Sequence, residues 1–222
     1  MINIAIDGPC GSGKSTIAKL LSQQLNILYL DTGAMYRACG LKAKRLGIDC
    51  LDEKGVSSFI NDIDLEVKYE NGAQHVYLDG EDVSLLIRQN EVSMLASHIS
   101  SHEIVRKKMV EMQRDVASKQ DCVLDGRDIC MYVLPNANYK FFMTASADVR
   151  AKRRFDELIA RGQSVDYEVV LAEINQRDYN DSNRAYAPLE IAPDAEVIDT
   201  SNMSIEEVVS YIIRKVKKGE EK

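Results

Sequence analysis

No stretch of the 222 residues approaches the ~20 consecutive apolar positions that a membrane-spanning helix requires, which speaks against a membrane protein. The amino end, Met1 to Asp7, has no basic segment and only a short apolar run. It reads as a first strand rather than an export signal, and the chain is expected in the cytoplasm. Cysteine is sparse and unpaired in pattern: the five residues at 10, 39, 50, 122 and 130 contain no CxxC, and an odd number excludes a complete internal disulfide framework. Three histidines, His75, His98 and His102, offer no Cys/His spacing suited to zinc. Positive charge is also short. A formal charge of -7 argues against a nucleic-acid polymer as ligand, because binding a phosphate backbone needs a broad basic surface. Neither an internal repeat nor a low-complexity linker divides the chain, so residues 1–222 are expected to form a single domain with excursions.

What remains is the composition of a globular protein, 45% hydrophobic and 28% charged. Five short apolar runs predict strands at about Ile2 to Ile6, Ile27 to Leu30, Cys122 to Leu124, Tyr139 to Met143 and Glu196 to Ile198. Helical patterns lie between most of them. Parallel neighbours need crossovers that pack on the sheet, so the expected fold is α/β, a five-stranded parallel sheet with helices on both faces. Val105, Met109, Met112 and Val116 recur at helical spacing and predict a helix over Glu103 to Lys119. Ser204 and Glu207 form a capping box that starts the last helix. One stretch breaks the rhythm: Leu65 to Ser84 carries the hairpin dipeptides Asn71-Gly72 and Asp79-Gly80 and predicts a small antiparallel insertion, about 63–84.

The strongest local signal is Gly8-Pro9-Cys10-Gly11-Ser12-Gly13-Lys14-Ser15, which fits G-x-x-x-x-G-K-[ST] between a predicted strand and a predicted helix. Glycines let the backbone curl so that several N–H groups face one anion, and the helix that follows adds the positive end of its dipole. Lys14 is placed to reach β- and γ-phosphates, and the Ser15 hydroxyl to help hold Mg²⁺. Such a loop identifies a nucleotide site without saying how the nucleotide is used. A switch GTPase would carry an Asn-Lys-x-Asp string, which is absent.

The acceptor side is written at other strand ends. Asp31-Thr32-Gly33-Ala34-Met35-Tyr36-Arg37 follows the second strand and Asp125-Gly126-Arg127-Asp128 closes the third, each delivering an arginine to the carboxyl edge where open α/β sheets bind ligands. A further basic cluster holds Arg150, Lys152, Arg153, Arg154, Arg161, Arg177 and Arg184. Arg177, Asp181 and Arg184 are spaced i, i+4 and i+7, which predicts one helix face. Read from the residues alone, these charges fit either a ligand-closing arm or a solvated ion-pair ladder.

Taken together with Gln176 to Leu189, these strings resemble bacterial cytidylate kinase over nearly the whole chain, the antiparallel insertion included. The resemblance implies a P-loop kinase core, a nucleoside-monophosphate-binding excursion at about 32–105 and a helical lid at about 147–187. It implies ATP with Mg²⁺ as donor and CMP or dCMP as acceptor; the chain is expected to act as a monomer. Carried over by position, Gly8 to Ser15 and Thr16 with Arg150, Arg153 and Arg154 would hold the donor. Arg37, Arg127 and Arg184 would hold the acceptor phosphate, Ser97, Arg106 and Asp128 would read cytosine, and Thr32, Arg177 and Asp181 would face the sugar and neighbouring phosphates. Lys14, Arg127, Arg154 and Arg184 would act on the transferring group. The chain departs from the family after Asp128, where Ile129-Cys130-Met131 stands in place of Ile-Gly-Thr. Another P-loop kinase of a small molecule or of UMP and CMP stays open as an alternative, as does a nucleotide-dependent binding protein.

Overall fold

The computed structural model describes residues 1–70 and 73–220. In chain order the elements are β1 (Asn3–Asp7), α1 (Lys14–Leu25), β2 (Leu28–Asp31), α2 (Thr32–Leu46), α3 (Glu53–Ile60), β3 (Leu65–Glu70), β4 (Ala73–Leu78) and β5 (Glu81–Asp82). They continue with α4 (Asn90–Ile99), α5 (Glu103–Ala117), β6 (Cys122–Gly126), β7 (Tyr139–Thr144), α6 (Ala147–Ala160), α7 (Tyr167–Asn183), β8 (Glu196–Asp199) and α8 (Ile205–Glu220). The expected α/β class is met: five strands form a parallel sheet in the order β2-β6-β1-β7-β8, and β3-β4-β5 form a separate small sheet.

Two compact units emerge, one of Met1–Tyr29, Gln120–Asn183 and the chain from Ala187, the other of Leu30–Lys119 with Arg184–Tyr186. In the first, β1 is the central strand, paired in parallel with β6 and β7. Its near-continuous apolar sequence, Ile4-Ala5-Ile6, suits a strand covered on both faces. Ile4 and Ile6 join Ile17 and Leu21 of α1, Val123 of β6, Met143 of β7 and Ile212 of α8 in one buried cluster. Burying each large aliphatic side chain contributes roughly 1.5–3 kcal/mol. The capping box at the start of α8 forms in both directions, with the Ser204 N–H donating to Glu207 Oε2 at 2.8 Å and the Glu207 N–H to Ser204 Oγ at 3.2 Å.

In the second unit β3, β4 and β5 pair antiparallel. Asp79 and Gly80 both take left-handed backbone, φ 53 and 78, as a two-residue hairpin turn requires. The other hairpin dipeptide, Asn71-Gly72, lies outside the described residues. Helix α5 starts where the apolar spacing placed it and ends at Ala117, two residues early. Its buried line, Val105, Arg106, Met109 and Gln113, includes a sulfur contact of 3.7 Å between Met109 and Cys39 of α2.

One expectation fails. Helix α7 ends at Asn183, so Arg184 is not the third member of a helical face with Arg177 and Asp181. The chain turns because Ala187 adopts φ 51 and Pro188 cannot continue a helix. The Leu189 N–H donates to Asp181 O at 2.8 Å and closes the end.

Candidate active site

The phosphate loop leaves the carboxyl end of β1, the middle strand of the sheet. A Cβ at Gly8 would lie 1.9 Å from Met143 O and one at Gly11 3.0 Å from Arg150 Cβ, so the loop sits closer to its neighbours than side chains permit. Lys14 is only 5% exposed and curls back into the loop, its ammonium donating to Pro9 O at 2.7 Å and Ser12 Oγ at 3.4 Å. Burial, reinforced by the charge of Arg127, pulls Lys14 down from its ordinary 10.5 to about 7. Burial pushes the Cys10 thiol up, but Arg177, Arg127 and Lys14 together overcome it and leave the thiol lowered. Three cations thus act on one thiol in the loop. Such mutual repulsion is relieved by an anion.

At the end of β6, the Ser15 hydroxyl donates to Asp125 Oδ2 at 2.8 Å and Tyr29 OH donates to Asp125 Oδ1 at 2.9 Å. Ser15 is the expected metal residue, and Asp125 is a partner that the motif alone does not supply. An acid at the end of the strand beside the loop-bearing strand was the available signal. The hydroxyl and carboxylate are hard oxygen donors of the kind Mg²⁺ accepts. Among the described residues no group of three or more His, Cys, Asp or Glu could hold a metal ion.

Arg127 donates from Nε to Asp181 Oδ2 at 2.7 Å and from Nη1 to Gly126 O at 3.2 Å. The acid outweighs the effect of burial and raises the guanidinium further above its ordinary range. Asp181 is thus paired with the residue that follows β6. Arg177 keeps a buried Nε without a hydrogen-bond partner. Arg150 and Arg153, expected to fold over the donor, are turned into the protein. Arg150 reaches Ala145 O at 2.8 Å, Cys10 O at 3.1 Å and Asp178 at 2.6 Å, bracing the loop from outside. Arg153 donates to Thr200 O at 2.7 Å and Oγ1 at 3.1 Å, and the Thr200 hydroxyl lies 3.1 Å from Ser12 O. Arg154 pairs with Glu157 at 2.9 Å on the same helix. Thr16 is exposed on the first turn of α1.

After Asp128 the chain makes a π-type turn over Ile129–Val133. Cys130, where the resembled family carries glycine, does not have positive φ, so its Cβ is accommodated, and its thiol faces Ala5 O and Phe141 O at 3.7 and 3.8 Å.

The second unit holds the remaining expected residues. Arg37 pairs with Asp31 at 2.8 Å, and Asp31 also caps α2 by accepting the Ala34 N–H. Thr32 is buried at the first position of that helix. Arg106 is 1% exposed, donates to Ser100 O at 3.1 Å and stacks its guanidinium 5.1 Å from the centroid of Tyr36. Ser97 buries a hydroxyl without a hydrogen-bond partner. Arg184 and Tyr186 cluster with this unit.

A parallel sheet with a glycine-rich loop, a buried lysine and a Ser–Asp oxygen pair at its carboxyl edge defines a P-loop kinase. The overall fold is similar to that of an uncharacterized protein from Eubacterium ventriosum, with a TM-score of 0.54 at 15% identity over 98% of this chain and 99% of the other. The cytidylate kinase family model matches residues 4–218. The chain is 52% identical to a cytidylate kinase of Caldicellulosiruptor bescii over 96% of this chain and 94% of the relative. It is 49% identical to that of Pelotomaculum thermopropionicum over 98% and 96%. This chain belongs to the cytidylate kinase family.

Proposed function

We propose that this chain transfers the γ-phosphoryl group of ATP to CMP or dCMP, yielding ADP and the cytidine diphosphate. The observation that carries the phosphoryl chemistry is the gathering of Lys14, Arg127 and Arg177 at the loop, where together they hold the Cys10 thiol low against its burial, while burial and then Arg127 lower Lys14 itself. Family membership supports cytosine as the acceptor base.

In phosphoryl transfer a protein mainly positions anions and neutralises charge that spreads over the transferring group. Gly8 to Thr16 would cradle the donor, with Lys14 on its terminal phosphates and Arg154 joining as the arm closes. Ser15 with Asp125 would hold Mg²⁺, which would supply charge neutralisation to the donor phosphates. On the acceptor, Arg37, Arg127 and Arg184 would bind phosphate. Ser97, Arg106 and Asp128 would read the base, and Thr32, Arg177 and Asp181 would face the sugar. The acceptor monophosphate has a second pKa of about 6 and is already largely deprotonated at neutral pH. No general base is needed. That separates this reading from kinases of hydroxyl acceptors, which gain from a carboxylate base; here Asp125 is held by Ser15 and Tyr29, and Asp181 by Arg127. The enzyme would work as a cytoplasmic monomer without nucleic-acid polymer or membrane partner. No described helix is long and apolar enough to cross a membrane.

A coupled assay of ADP release across all nucleoside monophosphates tests this. CMP and dCMP should give the highest kcat/KM, with UMP well below. Release that is independent of any monophosphate, or highest with a purine, would overturn it.

A further inference from the structure

The last residue of β1, Asp7, is 1% exposed and immediately precedes the phosphate loop. Both of its carboxylate oxygens are used: Oδ1 accepts the Ile129 N–H at 2.9 Å and Oδ2 the Cys130 N–H at 2.7 Å. These are the first two amides of the π-type turn. The turn itself closes through Tyr132 and Val133 N–H groups donating to Asp128 O at 2.9 and 3.1 Å, and through Leu134 N–H to Ile129 O at 2.8 Å. The opening amides of any helical turn lack partners within it, and an aspartate in the flanking position usually supplies one. Asp128 stands in that flanking position, at φ -141 and ψ 20, yet its side chain makes no cap bond. Asp7 performs the capping from another strand.

Burying a carboxylate is costly, and a neutral side chain could have capped one amide without that cost. What a carboxylate adds is two strong, directional acceptors that fix two consecutive amides at once. Those amides follow Asp128, which is 4% exposed and lies next to Arg127. We propose that Asp7 is a positioning residue for acceptor specificity: by capping the turn in place of Asp128, it fixes the direction in which Asp128 presents its carboxylate to the cytosine base. The inference rests on the reading of Asp128 as a base-reading residue.

The electrostatics give the arrangement a signature beyond shape. Burial raises the Asp7 carboxyl from 3.8 to about 6; the Cys130 N–H opposes this and the like charge of Asp128 adds to it. The groups that act on Asp7 are therefore Asp128 and Cys130 of the turn, together with Lys14 of α1, which shares a coulombic interaction with it. Below about pH 6 a proton on one oxygen removes an acceptor from one of the two amides. The second pKa of the substrate phosphate is common to CMP and UMP, so it cancels from the ratio of their kcat/KM values.

Asp7→Asn keeps the shape but sets an amide donor against one N–H. It should lower the CMP over UMP ratio by about 5- to 30-fold through KM for CMP, with KM for ATP within about twofold of wild type. Its ratio should also be flat between pH 5 and 7.5, where the wild-type ratio falls toward acid. Asp128→Asn, measured beside it, should lower the ratio by at least as much, and the double variant should lose little more than Asp128→Asn alone. An unchanged ratio in Asp128→Asn strikes the base reading, and this inference falls with it. An altered ratio in Asp128→Asn beside an unchanged one in a folded Asp7→Asn overturns this inference alone, as does a parallel loss with CMP, UMP and ATP. Should Asp7→Asn not fold, a wild-type ratio constant from pH 5 to 7.5 overturns it.

Discussion

Nucleotide binding at this loop should take up a proton. Lys14 lies buried beside Arg127 at about 7, against an ordinary 10.5. That drop corresponds to about 5 kcal/mol, at about 1.36 kcal/mol per pH unit, for keeping the ammonium charged in the free protein. In the unliganded fold the sign is clear: the folded value is below the unfolded one, so stability rises as pH climbs from about 7 toward 10.5 and the folded lysine sheds its proton first. A triphosphate reverses the local field and restores the charge. At pH 8 about 0.9 of the Lys14 side chains would be neutral before binding, at pH 7 about half and at pH 6 about 0.1, and these fractions are the protons taken up per ATP bound. Calorimetry of ATP binding in buffers of different ionisation enthalpy reads them, and Lys14→Ala supplies the baseline from the titration of ATP itself. The same variant should remain folded while losing turnover by orders of magnitude, because a cation aimed at the transferring group is gone. Equal proton uptake by wild type and Lys14→Ala at pH 8 would refute the reasoning, whatever the variant did to the rate.

Two further outcomes follow from neighbouring contacts. Tyr29→Phe removes only the hydroxyl that donates to Asp125 Oδ1, and it should raise the Mg²⁺ concentration for half-maximal rate by about 3- to 10-fold with the melting temperature nearly unchanged; an identical Mg²⁺ titration would count against it. Amides of α6 and α7 should gain hydrogen-exchange protection when ATP and CMP are bound together, since closure excludes water from the donor, and equal exchange with and without ligands would contradict a closing arm.

What could be read beforehand was whatever lies close along the chain. The phosphate loop, the Asp79-Gly80 hairpin and the Ser204 to Glu207 capping box each depend on fewer than ten consecutive residues, and each formed as expected. Strand ends were displaced by only one or two residues, because apolar runs mark the apolar part of a strand and not its polar last position, such as Asp7, Asp31 or Asp199. Periodicity misled at Arg184, where i+7 spacing continued on paper but Ala187 and Pro188 ended the helix. Charge was legible as charge, not as direction: nothing along the chain signals that Arg150 meets Cys10 O or that Arg153 meets Thr200 O. Asp7 and Asp125 gave least away, since their partners sit 122 and 110 positions distant along the chain.

The grip of Arg150 also restricts how this sequence can drift. Its guanidinium meets acceptors in three directions, Ala145 O, Cys10 O and Asp178, which a planar fork spans and a single ammonium does not. Lysine is therefore no neutral replacement at this position. Gly11 is fixed on separate grounds, because a Cβ there would press on Arg150 Cβ at 3.0 Å and on its carbonyl oxygen at 3.1 Å. Those atoms belong to any residue but glycine at position 150, so exchanging the arginine would not free Gly11, whose φ of 77 already disfavours a side chain. A lineage could move through many surface exchanges on α6 and α7 and still find both positions closed to exchange, each for its own reason.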